Sequence, residues 1–236
     1  MRYLLVFVIT LVFAQKSYSQ TFEIGPYIGG ANYIGDVGRT NFILPNNLVG
    51  GALIKWNRSA RHAFRFSLMY AEISADDANA NDARRKNRGY SFNNTIGEAS
   101  LGIEYNFWSF DLHEGHPQST PYLYSGISYF KSDHLKLSAP YPNGELVNET
   151  ANWSFAIPIV FGYKESITRH IIGALEIGAR YTFTDNLDGS WPEELTGDRS
   201  SVTGLEFGNE NTNDWYVFTG VSFTFSWGRK PCYSNF

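Results

Sequence analysis

Three groups of residues in this chain have the types and spacing to do chemistry. Glu98, Glu104 and Glu176 are carboxylates on segments that otherwise alternate apolar with small residues, and Arg65 and Arg180 lie on segments of the same kind. Carboxylates gathered in one place could run acid–base chemistry if their surroundings kept one protonated and another ionised. Facing arginines inside a narrow enclosure, the same five would pair as structural ions, and that is the expectation here: a packed ionic network of Arg65, Glu98, Glu104, Glu176 and Arg180 with no catalytic residue. Among the five histidines, His113-x-x-His116 is the pair close in sequence, and Asp111 and Glu114 are its only neighbouring ligand types. Metal binding needs more ligands than that at suitable spacing, so no metal and no cofactor are expected, and all five histidines are placed in turns or loops. No serine–histidine pair can be set on an outward rim, which argues against a lipid-modifying hydrolase. The third group is the tail "GRKPCYSNF", whose Cys232 is the single cysteine among 236 residues.

The elements that must position these residues begin with a leader. Arg2 is a short basic region, Leu4–Phe13 an apolar core, and Ser17-Tyr18-Ser19 a small-x-small cleavage site. This is the pattern of a signal peptide over residues 1–19, because its apolar run is far shorter than the ~20 residues of a membrane-spanning helix. No cysteine follows the cleavage site, so no lipoprotein is expected. The net charge of −4 and pI near 5.7 leave no basic surface for nucleic acid. With 15 Tyr, 18 Phe and 22 Gly, and no later apolar run of helix-spanning length, the composition excludes a helical membrane protein and leaves a β-domain.

Period-two alternation marks the strands. In Asp214 to Trp227, Trp215, Val217, Val221, Phe223, Phe225 and Trp227 share one face and Gly220, Ser222, Thr224 and Ser226 the other. The same test succeeds on Ala63 to Asp76, Thr95 to Phe107, Trp153 to Lys164 and Ile171 to Asp185, with Pro158 suggesting a bulge. Weaker strands over Phe22 to Gly35, Leu48 to Asn57 and Tyr122 to Lys131 complete a set of eight, and no helix is predicted. Connections after the even strands ("RSARH", "SFDLHEGHPQST", "ESITRH") are mostly shorter than those after the odd ones, the longest running from Asn186 to Asn213. Alternating short and long connections is the wiring of an outer-membrane barrel, short turns in the periplasm and long loops outside. The chain therefore reads as all-β: an eight-stranded antiparallel up-and-down transmembrane β-barrel over residues 20–227, followed by a periplasmic tail, 228–236. Leu101, Ile103, Phe155, Ile157, Leu175, Ile177, Val221 and Phe223 should face lipid. A soluble eight-stranded barrel would point its apolar residues inward instead, which the charged alternate face opposes. An eight-stranded lumen is only wide enough for side chains, so no channel is expected. "ARRKNR" (83–88) is a basic cluster in an outer loop that either contacts lipopolysaccharide phosphates or is simply solvated.

Several segments together resemble a known family. "GGANYIGDVGRTNFILPNN" (29–47), "RRKNRGYSFNNTIGEASLGIEYNFW" (84–108), "PYLYSGISYF" (121–130), "FAIPIVFGYK" (155–164), "IGARYTFTDNLD" (177–188) and "RKPCY" (229–233) are similar to the PorG-type outer-membrane protein of the Bacteroidetes type IX secretion system. The resemblance implies a small non-enzymatic barrel in the outer membrane, both termini periplasmic, that anchors or assembles a periplasmic ring of a PorK-type lipoprotein and a PorN-type protein. That machinery exports proteins and supports gliding motility in some members. The alternatives are a general OmpA/OmpX-like barrel with an adhesive or membrane-stabilising role and a lipid A-modifying barrel enzyme. The expected partners are the ring proteins and outer-membrane lipid or lipopolysaccharide, with no nucleic acid and no small-molecule substrate.

The tail then acquires a role. An unpaired cysteine in an exported chain implies an intermolecular bond or a free thiol. Arg229 and Lys230 favour the thiolate, and Pro231 stiffens the approach. Under the resemblance, Arg229, Lys230, Cys232 and Tyr233 dock on the ring, with Cys232 forming a disulfide to the lipoprotein if that partner offers a cysteine.

Overall fold

The computed structural model describes residues 21–112, 116–138, 145–190, 207, 209 and 212–228. The leader, His113 and Glu114, and the tail residues Arg229, Lys230, Cys232 and Tyr233 lie outside the described residues.

Eight strands run in chain order: β1 (Thr21–Ile34), β2 (Asn47–Asn57), β3 (His62–Asp76), β4 (Ser91–Asn106), β5 (Ser119–Leu137), β6 (Leu146–Ser166), β7 (Ile171–Thr182) and β8 (Trp215–Gly228). Each pairs antiparallel with its sequence neighbours, and β1 closes on β8 from Thr21↔Gly228 to Ile34↔Trp215, so the sheet is a closed barrel. Closure removes every edge, which leaves no unpaired ladder to template aggregation. Both ends of the barrel chain, Thr21 and Gly228, sit with the connections after β2, β4 and β6. The connections after β1, β3, β5 and β7 gather at the opposite end.

Alternation sets which side chains fill the lumen. Along β3, Ala63, Arg65, Ser67, Met69, Ala71 and Ile73 are buried while Phe64, Phe66, Leu68 and Tyr70 face out. Two pairs of lumen-facing glycines meet across ladders, Gly102↔Gly126 and Gly29↔Gly220. A Cβ on any of the four would come within 2.4 Å of a neighbouring backbone oxygen, so the wall approaches itself there more closely than a side chain allows. Glycine at such bends lets a small barrel close.

The structure differs from the sequence-based expectations in three places. β4, β5 and β6 reach further toward the long-loop end than their apolar alternation, because the polar residues of "SFNN" and "SDHLKL" still join the ladder. Pro158 causes no bulge. The β5–β6 ladder keeps one register across it, and the register shift falls between His134 and Leu135, placing His134 in a strand and buried rather than in a loop. Finally, a 3-10 turn (Asp77–Asn79) and a helix α1 (Ala83–Arg88) occupy the connection after β3. Helix α1 buries no residue, so apolar periodicity could not reveal it. It is held at its ends instead: the Asp82 side chain accepts from Arg84 N, and Gly89 closes it at φ 72°.

Candidate functional site

The five residues of the predicted ionic network all point into the lumen and are buried, but they divide into two groups and are joined by others. The lower group lies in the half nearer the short turns. Arg65 makes a two-pronged contact with Glu176, Nη1 to Oε1 at 3.0 Å and Nη2 to Oε2 at 2.8 Å, while its Nε donates to Ser67 Oγ. Tyr122 donates to Glu176 Oε1 at 2.6 Å. Glu104 pairs chiefly with two lysines, Lys164 Nζ at 2.6 Å and Lys55 Nζ at 2.8 Å, with Arg65 at 3.8 Å. Both ammonium groups lie over the Tyr122 ring, 5.1 and 5.3 Å from its centre. Glu23 closes the bottom, accepting from Asn57 and Thr224. The second group sits higher: Arg180 Nε donates to Glu98 Oε2 at 3.3 Å, Tyr216 OH donates to the same oxygen at 2.7 Å, and the guanidinium lies 4.2 Å over the Phe218 ring.

Register explains how the long side chains fit. Arg65 faces Gly102 across the β3–β4 ladder, and Glu176 faces Gly162 across β6–β7, so each reaches over a position without a side chain. Lys55 and Arg65 are directly opposite, a like-charge pairing that destabilises a sheet. Glu104, paired with Ala63 one position pair along the same face, contacts both and compensates them. Counted over these groups, four cations (Lys55, Arg65, Lys164, Arg180) face four carboxylates (Glu23, Glu98, Glu104, Glu176), so the buried charge balances.

Lys55, Lys164, Glu23 and the two tyrosines were not in the predicted network. Lys164 could have been found, since it shares the polar face of its strand. Lys55 lies between Ile54 and Trp56 on a strand whose inward face also carries Val49 and Leu53, so alternation there separates nothing. Among the described residues no cluster of three or more His, Cys, Asp or Glu could hold a metal.

The half of the lumen nearer the long loops is filled differently, by Val49, Ile73, Phe92, Ile96, Phe130, Leu135, Leu137 and Phe218. The chain after β7 drops Leu187 into this cluster, where Asn94 Nδ2 donates to Leu187 O and Leu187 N donates to Asp214 Oδ2, both at 2.8 Å. Tyr33 OH contacts Asp188 Oδ2 at 2.7 Å and Asp214 Oδ1 in a still shorter contact. One phenol proton cannot serve two ionised oxygens, which favours a proton on the pair of carboxyls. Burial pushes the Asp214 and Asp188 carboxyls up, Asp214 well above the usual range, and burial with the nearby Asp188 and Asp36 charges pushes Asp185 up to about 7. The basic helix is tied into the same region. Arg88 pairs with Asp77 at 2.8 Å and donates to Asp36 O, and Arg85 donates to Gly35 O and Gly38 O. Two of the cluster's cations therefore brace loops, while Arg84 stays exposed.

Outside, the wall is apolar. Leu101, Ile103, Phe155, Ile157, Leu175 and Phe223 are all exposed. Aromatic rings gather at both of its ends. Near the short turns Phe22, Trp56, Phe64, Phe225 and Trp227 form a chain of contacts with ring centres 5.3–6.5 Å apart. Near the long loops Tyr129 packs on Trp153 and Phe155, and Tyr181 on Phe183 and Trp215.

Closure, strand number and a filled lumen together define the molecule as a small, plugged, eight-stranded antiparallel β-barrel. The chain belongs to the family described as a domain of unknown function, DUF6089, whose model matches residues 2–235. Comparison with curated proteins finds no match. Among solved structures the chain is similar to the N-terminal β-barrel domain of Pseudomonas aeruginosa OprF, at 12% identity and a TM-score of 0.44 over 89% of this chain and 100% of that one. It is also similar to Ail, the attachment invasion locus protein of Yersinia pestis, solved with the heparin analogue sucrose octasulfate (6%, 0.46, 89% and 100%). A third is Acinetobacter baumannii CarO2 (18%, 0.42, 88% and 99%). At these identities the likeness is one of fold.

Proposed function

We propose that this chain is a non-enzymatic, non-conducting barrel of the outer membrane, with its short turns and both barrel termini on the periplasmic side and its long loops outside. One observation carries the reading: an exposed apolar wall bounded at both ends by aromatic rings encloses a lumen filled by balanced charges and apolar side chains. In water such a wall would be an aggregation surface, whereas apolar bands edged by aromatic girdles are how barrels sit in a bilayer. The leader read in residues 1–19 agrees with export. The work of such a molecule lies at its rims and loops, as an adhesive or membrane-stabilising component. Purified protein in planar bilayers should insert and carry no stable single-channel current. Stable conductance would refute the plugged lumen, and failure to enter liposomes would refute the membrane reading.

A second, narrower reading places the barrel in the type IX secretion machinery, anchoring or assembling the PorK/PorN-type periplasmic ring. Its support is the series of family-like segments spread from Gly29 to Tyr233, which touch β1, β4, β5, β6, β7 and the tail. Cys232, Arg229, Lys230 and Tyr233 are then the docking residues. Pulldown from detergent-solubilised outer membranes followed by mass spectrometry should recover the two ring proteins. A heavier band on non-reducing gels, absent in Cys232→Ser, should report the disulfide. Recovery of neither ring protein would leave the general barrel as the whole account.

A further inference from the structure

The connection between β1 and β2 has two parts: residues 35–38 pack over the lumen, with Val37 buried and its N–H donating to Asp188, and residues 41–46 then fold down over the outside of the wall. Asn32 has the parity of the outward-facing Ile24 and Ile28, yet it is only 3% exposed, because this loop covers it. Its amide holds the loop at three points: Nδ2 donates to Asn41 O and Phe42 O, and Oδ1 accepts from Leu44 N. Pro45 lies against the wall so closely that a Cβ on Gly30 would come 2.4 Å from the Pro45 Cβ. Asn46 fastens the returning strand, its side chain donating to Ser74 O at 2.9 Å. Clamped this way, the loop presents three consecutive apolar side chains outward, Phe42 at 71%, Ile43 at 58% and Leu44 at 40% exposure. Behind them runs a groove of about 190 Å³ lined by Asn32, Arg39, Asn41, Asn46, Ser74 and Asp76.

Groove and tip make demands that one class of molecule meets. Asn32, Asn46 and Ser74 spend their polar atoms on holding the loop, which leaves the Arg39 fork, the Asn41 amide and the Asp76 carboxylate as donors and acceptors of the kind sugar hydroxyls match. Arg39 uses Nε on Asn79 O, and Asp76 uses Oδ1 to cap the following turn. With one cation and one carboxylate the groove is near neutral, which suits a sugar better than a bare anion. Its volume is below the ~300–1,000 Å³ of a drug-sized pocket and holds a headgroup ring rather than an oligosaccharide. Directly below, Leu48 is exposed, and Gly50 stands between Ile28 and Tyr70 with open space over it, so the apolar wall carries a shallow channel leading down from the groove. An apolar tip beside a polar recess is how a segment seats at the boundary of headgroups and acyl chains.

We propose that this face binds a glycolipid of the outer leaflet, its headgroup sugar in the groove behind Phe42-Ile43-Leu44 and an acyl chain along the wall at Leu48, Gly50 and Tyr70. The inference rests on the reading of the wall as membrane-facing. To test it, the purified protein in detergent is mixed with lipid A and phosphatidylglycerol in equal amounts, and bound lipid is counted by native mass spectrometry. Lipid A should be retained over phosphatidylglycerol by about tenfold or more. The preference should vanish in Arg39→Leu/Asn41→Leu, which alters the groove, and in Phe42→Ser/Ile43→Ser, which alters only exposed tip residues. Heat-dependent mobility on SDS gels confirms that both variants fold. The free glucosamine disaccharide should compete weakly, since it lacks the chains. Equal retention of both lipids, or a folded variant keeping the wild-type preference, would overturn the site. Liposome insertion separates the two failures: insertion without preference removes the glycolipid site alone, and no insertion removes the membrane reading with it.

Discussion

The two halves of the lumen solve one filling problem in opposite ways. Near the short turns Phe110 of the β4–β5 connection lies over the bottom, its ring 4.8 Å from Lys164 Nζ, and the space above it is crossed from the wall by long side chains: Lys55, Lys164, Arg65 and Tyr122 converge on Glu104 and Glu176. Near the long loops the chain itself supplies the filling, with Leu187 and the ends of β4 and β5 packing as an apolar core. The halves should therefore fail differently. Losing a side chain from the apolar half leaves a cavity, whereas losing one from the ionic half strands a charge.

The largest expected effect follows. Glu104→Leu leaves Lys55 and Lys164 without their shared carboxylate, and breaking a buried pair costs about 3–5 kcal/mol. Equilibrium unfolding from detergent or lipid, followed by tryptophan fluorescence, should show that loss. The triple change Lys55→Met/Glu104→Leu/Lys164→Met converts this part of the lumen to the chemistry of the other half and should recover most of it, since apolar replacement of a buried ion pair is often neutral or stabilising. A triple variant no more stable than the single one would mean that the ionic half depends on charge for more than filling.

On the outer wall the contrast is between faces. Ile157→Arg or Phe223→Arg sets a charge on an exposed apolar surface and should cost about 2–4 kcal/mol in a bilayer. Both variants assembling as wild type would reverse the assignment of inside and outside. Within the apolar half, Ile73→Val removes one fully buried methylene and should cost about 0.5–1.5 kcal/mol by the same unfolding measurement. A loss above the ionic half's would erase the distinction drawn between them.

Strand number, order and facing were legible in the sequence because a closed sheet leaves period two everywhere it has a wet or apolar side to show. Arg65, Glu98, Glu104, Glu176 and Arg180 were legible as inward for the same reason. Their partners were not, because pairing across a lumen depends on shear and depth, which alternation does not carry. So Glu104 took lysines from β2 and β6, and Lys55 was hidden on a strand apolar on both faces. Helix α1 escaped because it is held by caps and by Arg85 and Arg88, not by an apolar stripe. The glycolipid-facing loop gave no signal either, since its placement depends on the Asn32 amide reaching three backbone groups nine to twelve residues away.

The smallest expected effect tests how the apolar half is sealed. Around Tyr33 OH stand Asp188 and Asp214 in contact and Asp36 and Asp185 nearby, and among the described residues Arg85 reaches the Asp36 carboxylate, at 4.0 Å. Burial and the neighbouring carboxylates favour the protonated forms, and they push Asp185 up to about 7 from 3.8 for an ordinary aspartate. A group raised in the folded state binds its proton more tightly there than in the unfolded chain. Its stabilising contribution is therefore complete below the ordinary value and disappears as pH rises through about 7. Asp185 is partly exposed, so solvent screens the effect and the change should be local, a loosening of the Leu187 plug rather than global unfolding. Hydrogen exchange at the Leu187 amide, which donates to Asp214, should be faster at about pH 8 than at about pH 5 after correction for intrinsic rates. Asp185→Asn, neutral at every pH, should flatten the part of that slope near neutrality and leave whatever part belongs to the Asp188–Asp214 pair. An exchange ratio independent of pH in wild type would mean that these carboxyls are already ionised, and that something other than a shared proton holds them on Tyr33.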